Sequence, residues 1–126
     1  MTTEEFVNQF SMHDSFFESI AIDNNGSISM IVNFAFWMQK NYQMGTPKNG
    51  LIEVRFHDVA DFSCTQVIHE AIRRKADKGF WEAFNIWSTD LQNGYVVFTI
   101  FNDNTDDEYE MHIKADYITI QNVSTQ

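Results

Sequence analysis

The sequence is poor in the residues that interrupt or staple a chain. Of 126 residues, one is proline and five are glycine, too thinly spread to mark a linker or a domain boundary. The single cysteine, Cys64, excludes an internal disulfide and suits a reducing compartment. No long hydrophobic run is present. The richest stretch, Ile28 to Met38, is interrupted by Ser29 and Asn33 and falls short of a membrane span. The opening MTTEEFVNQF lacks the basic start and apolar run of a secretory signal. The expectation is a soluble, cytoplasmic protein. Basic residues are scarce as well: eight Lys and Arg face eighteen Asp and Glu, giving a net charge of −10. That sign argues against nucleic acid and an anionic membrane as partners. It suits encounter with a basic protein, and it equally suits plain solubility. Motifs for phosphate cradling, dinucleotide binding, a nucleophile elbow or a CxxC redox pair are missing, and no cofactor is implied.

Aromatic residues are abundant. Twelve Phe, three Trp and four Tyr within a 44% apolar composition can build a core without staples, in one domain spanning 1–126. The order of elements reads as follows. TTEEFVNQF is a short N-terminal helix, with Thr2 or Thr3 as its cap and Glu4 and Glu5 in its first turn. FFESIAID and SISMIVNFAFWMQ are strands joined at Asn24-Asn25-Gly26. Alternation puts Ile28, Met30, Val32, Phe34, Phe36 and Met38 on one face. LIEVRFHDV is a strand with Ile52, Val54 and Phe56 inward. The period then changes. ADFSCTQVIHEAIRRKADKG reads as the main helix, over about residues 64–78, with a Ser63/Gln66 capping box and Gly79 closing it. Four further strands follow, joined at Gln92 to Gly94, at Asn102 to Glu108, and at a last turn, Lys114 to Asp116. The fold class is α+β: a mainly antiparallel sheet of about six or seven strands with one main helix and the short N-terminal one.

Several groups are candidates for chemistry or binding. Two His-Asp pairs, His13-Asp14 and His57-Asp58, sit beside strand ends. Brought together, they would supply metal ligands for a small hydrolase; kept apart, the two Asp are turn residues. Cys64 lies where a helix N-terminus would activate a thiol, or where a small apolar residue would be buried. The run DNTDDEYE, with Asp103, Asp106, Asp107, Glu108 and Glu110, has the composition of a calcium loop without its glycine or ligand spacing. It reads as a solvated acidic tip. Arg73, Arg74, Lys75 and Lys78 gather half of the basic charge at one helix end. Trp81 and Trp87 belong to an aromatic set that serves as core or as exposed anchor.

In MHDSFFESIAIDNNGSISMIVNF and LIEVRFHDVADFSC the chain resembles small bacterial immunity proteins of polymorphic-toxin systems and related domains. The matching pieces are His13-Asp14, Phe16 to Phe36 and Phe56 to Phe62, about the first half of the chain. Ser11-Met12 stands where a Trp or a Pro-rich lead-in is common in that group. The resemblance implies a non-enzymatic protein that binds and neutralises a cognate toxin. Its expected contact residues are Asp103, Asp106, Asp107 and Glu108 with Trp81 and Trp87, and its expected partner is a basic toxin. Alternatives are the metal-dependent hydrolase built on the His-Asp pairs and a small-molecule-binding domain.

Overall fold

The computed structural model describes residues 1–45 and 47–123. Eight strands form one antiparallel sheet: β1 (Ser15–Ile22), β2 (Ile28–Ala35), β3 (Asn49–His57), β4 (Asp61–Cys64), β5 (Phe84–Gln92), β6 (Tyr95–Asn102), β7 (Glu108–Lys114) and β8 (Tyr117–Asn122). Their order is β4-β7-β6-β5-β1-β2-β3-β8. Helix α1 (Thr3–Gln9) precedes the sheet, and α2 (Gln66–Arg73) and α3 (Lys78–Trp81) lie between β4 and β5. The α+β class and the antiparallel sheet are as expected.

The strand count differs from the six or seven expected, for a local reason. Asp61 to Cys64, whose last two residues the sequence reads as the cap and first residue of the main helix, alternates in burial and pairs with β7 instead. The helix is therefore shorter than 64–78. It starts after Thr65 and has no side-chain cap, so the Ser63/Gln66 box does not form. It ends at Arg74 with Lys75 in the left-handed region at φ 53°, where Ala76 N–H returns to the Ala71 carbonyl at 2.9 Å. Lys75 takes the closing role expected of Gly79, which sits inside α3. α1 does form as expected. Thr2 Oγ accepts from Glu5 N–H and the Glu5 carboxylate accepts from Thr2 N–H, both at 3.0 Å.

Alternation explains the core. Ile28, Met30, Val32 and Phe34 point inward from β2, as do Ile52, Val54 and Phe56 from β3. Phe36 and Met38, expected to extend that face, instead turn into a 3-10 helix (Phe36–Met38) and are only half-buried. The β5–β6 hairpin turns on Asn93 and Gly94, both at positive φ (52° and 83°), the geometry a two-residue loop requires.

The sheet curls until its ends meet. β3 runs into β4, and β7 into β8, each across a short bend, so β7 and β8 do not pair with one another as hairpin partners. At the corner, Ala60 N–H bonds the Lys114 carbonyl at 2.8 Å and Asp116 N–H bonds the His57 carbonyl at 3.0 Å. These bonds bridge the β3–β8 and β4–β7 ladders. The curl brings together rings from strands far apart in the sheet. Phe98 of β6 meets Phe56 of β3 at 6.1 Å and Phe17 of β1 at 6.0 Å, and Phe6 of α1 reaches Phe56 at 6.0 Å. No helix among the described residues is long and apolar enough to cross a membrane.

Candidate interaction face around Trp87

One row of side chains crosses the outside of the sheet. Cross-strand pairing aligns Glu108 with Phe101, Phe101 with Asn85, Asn85 with Phe16, and Phe16 with Asn33. Directly opposed residues share a face. Their chain neighbours Phe17, Ile86 and Ile100 are fully buried, so this row faces out. Beside it, β5 carries a bulge between Ile86 and Ser88 that leaves Trp87 without an opposite partner. A bulge re-aims its side chain, and Trp87 is 57% exposed. It lies 6.2 Å from the Phe101 ring on one side and 4.9 Å, edge-on, from the His13 imidazole on the other.

His13 is held by its own strand start. The Trp87 carbonyl accepts a 2.8 Å bond from His13 Nδ1, which fixes the proton on that nitrogen because a carbonyl can only accept. Asp14 follows at φ 63°, with its N–H on the Ile86 carbonyl, and Ser15 N–H returns to Met12. Buried Ser15 Oγ accepts from Ala35 N–H at 3.0 Å. A shallow cavity of about 340 Å³ opens next to this turn, lined by Phe10, His13, Gln39, Lys40, Trp87 and Thr89 among others. Gln39 pins its far wall through three bonds, to both backbone groups of Ser11 and to the Ala35 carbonyl.

The acidic tip stands at the other end of the row. The Asn102 side chain accepts from Asn104 and Thr105 N–H at 2.9 and 3.3 Å, and Asp106 N–H bonds the Asn102 carbonyl. Asp106 takes φ 61°. Asp103 N–H is anchored on the Ala83 carbonyl at 2.9 Å. The tip thus displays Asp103, Asp106, Asp107 and Glu108, all exposed, and none is ion-paired with Lys or Arg among the described residues.

Other sequence candidates fall elsewhere. Trp81, expected as a contact residue, is 1% exposed; its ring packs against Phe17 and its indole N–H bonds the Ala76 carbonyl at 3.2 Å. It is core. The two His-Asp pairs do not converge. His57 stacks flat on Tyr117 at 4.3 Å and bonds Thr119, on the β3–β8 side of the sheet. Among the described residues no group of three or more His, Cys, Asp or Glu side chains could hold a metal. Asp58, like Asp14, has positive φ (52°), so both aspartates are turn residues. Cys64 ends β4 opposite Met111, one residue before the Thr65 N-cap of α2, but burial prevails there and pushes its thiol up to about 11 rather than activating it. Sequence reasoning missed Phe16, Asn33, Asn85 and Phe101. The signal was available: if Phe17, Ile86 and Ile100 face inward, their neighbours face outward.

Two details mark this face as unusual. The side-chain oxygens of Asn33 and Asn85, flanking Phe16, are covered yet meet no donor among the described residues. The face also combines an exposed indole with carboxylates that no Lys or Arg pairs among the described residues. Comparison with protein-family models, curated proteins and solved structures finds no match for this chain.

Proposed function

We propose that this protein is a non-enzymatic binding protein of the immunity type, which neutralises a basic toxin by covering part of its surface. The observation that carries this reading is Trp87: an exposed indole braced between His13 and Phe101, on the same face as the unpaired carboxylates of the β6–β7 tip. Exposed, rigidly held tryptophans are the residues that most often anchor protein interfaces. Carboxylates at the rim steer a cationic partner and raise the association rate. The asparagine oxygens beside Phe16 give the face acceptors that partner N–H groups would satisfy once the amides rotate. The sequence resemblance points the same way, and the net charge of −10 fits a basic partner.

The test is direct binding to the product of the neighbouring gene, at low and high salt, with Trp87→Ala in parallel. Tight, salt-weakened binding that depends on Trp87 is expected. Absence of binding, or binding indifferent to Trp87, would overturn the assignment of this face.

A further inference from the structure

β1 is paired unevenly. Its ladder with β2 runs from Phe16 to Ile22, whereas with β5 it pairs only at Ser15 and Phe16. From Phe17 onward its second edge meets no strand among the described residues. α3 covers the next step, where Lys78 Nζ reaches Glu18 Oε1 at 3.3 Å and Trp81 meets Phe17. Past Glu18 a groove of about 580 Å³ opens. One wall is Ser19 to Ile22; the other is His69, Ile72, Arg73 and Ala76, with Lys75 at the end. Successive strand side chains point to opposite faces, so a groove touching four consecutive residues lies along the strand's edge. His69, Ile72 and Arg73, at steps of three and four, form a single face of α2, and Ala76 continues the wall just past its end. No backbone hydrogen bond joins Ser19 to Ile22 to α2 or α3. An uncovered strand edge is a template for another strand.

Charge narrows the occupant. The groove lies beside the cluster that holds half the Lys and Arg of a chain with net charge −10. Arg73 is shared with Glu70 at 2.7 Å, Arg74 lies over the Phe80 ring at 4.6 Å, and Lys78 is taken by Glu18. Lys75 has no ion pair among the described residues, and neither has His69. The floor is apolar, from Ile20, Ile22 and Ile72. We infer that this groove docks an extended segment of a partner chain with alternating apolar and acidic residues, which adds to β1 as a strand. Backbone groups of Ser19 to Ile22 pair with the incoming strand, its apolar side chains settle between Ile20 and Ile72, and its carboxylates meet Lys75 and Arg73. Four residues of edge span about 13 Å at the usual strand rise. This surface is separate from the Trp87 face and opposite in charge, so the two stand independently.

The experiment titrates the full chain with acetylated octapeptides of alternating Val and Glu, following backbone amide shifts by NMR. Shifts are expected at Ser19 to Ile22 and Ile72 to Ala76. Exchange of Glu for Lys in the peptide, N-methylation of its alternate amides, or the double variant R73E/K75E should each weaken binding by about tenfold or more. Both variant positions are exposed, and thermal unfolding of R73E/K75E should match the wild type. The inference is overturned if no peptide shifts Ser19 to Ile22, or if the N-methylated peptide binds as well as its parent. It is also overturned if dodecanoate fills the groove more tightly than any peptide, which would make it a pocket for small amphiphiles.

Discussion

The imidazole of His13 stands edge-on to the indole of Trp87, ring centroids 4.9 Å apart, while its Nδ1–H bonds the Trp87 carbonyl at 2.8 Å. One residue thereby holds both the backbone and the side chain of the bulge. It links the start of β1 to β5 across a seam that has only two residue pairs, Ser15↔Ile86 and Phe16↔Asn85. His13 is accordingly a positioning residue. His13→Ala should cost about 1 kcal/mol of stability, the worth of one hydrogen bond, and shift the emission of Trp87 as its indole loosens. Denaturant unfolding and the fluorescence difference against Trp87→Phe check this. An unchanged spectrum would mean that His13 does not brace the indole.

The two His-Asp pairs share a backbone conformation. Asp14 and Asp58 take φ 63° and 52°, a region where glycine is at ease and β-branched residues are strained. Asp14→Gly and Asp58→Gly should leave stability and binding within about 0.5 kcal/mol of the wild type, while the Val variants should lose about 1–3 kcal/mol. Thermal melts of the four variants decide it. A loss of function in a glycine variant of unchanged stability would restore a chemical role to the carboxylate.

Much of the fold is legible in the sequence, because alternation and turn residues act locally. β2 and β3 show their inward faces, Thr2 and Glu5 announce α1, and Asn93-Gly94 marks its hairpin. The failures have a common cause in long-range pairing. Ser63 and Cys64 look like the cap and head of a helix until β7 offers His112 and Met111 opposite them. Lys114 to Asp116 looks like a hairpin turn until β8 finds β3. Trp81 and Trp87 are indistinguishable in composition, and only a bulge in β5 and the packing of α3 separate the exposed ring from the buried one. The acidic tip is readable as a loop; its place at the end of the Phe101–Asn85–Phe16 row depends on a register no local pattern fixes.

Gly50 reveals a second packing constraint. A Cβ there would stand 2.6 Å from Phe36 Cε2, and the Phe36 ring is backed by Phe34 at 5.4 Å. Gly50→Ala should destabilise by about 1–3 kcal/mol, as overpacking does. Gly50→Ala with Phe36→Leu should recover part of the loss, which a double-mutant cycle measures.

Acid should weaken the fold through Glu53. Burial works to raise its carboxyl, but hydrogen bonds from Ser29 at 2.8 Å and from Arg55 and Gln121, together with the Arg55 charge, prevail and hold it below the ordinary carboxylate range. A carboxylate depressed in the folded state contributes stability above its unfolded pKa and loses it as pH falls through the folded value. Stability should therefore be flat from neutral pH down to the ordinary carboxylate range and fall below it. Glu53→Gln should cost about 1–2 kcal/mol at neutral pH and flatten that acid limb. Denaturant melts across the acid range, wild type against variant, make the comparison.

If the Trp87 face with its acidic tip binds a basic protein as proposed, the indole and the carboxylates should act on different rates. Stopped-flow association and dissociation with the product of the neighbouring gene, over a range of salt, measures both. It compares the wild type, Trp87→Ala, and a tip variant with Asp103, Asp106 and Asp107 changed to Asn and Glu108 to Gln. Trp87→Ala should mainly speed dissociation, at a cost of about 2–4 kcal/mol. The tip variant should slow association and flatten its salt dependence. Wild-type kinetics in both variants, or no association by the wild type, would contradict it.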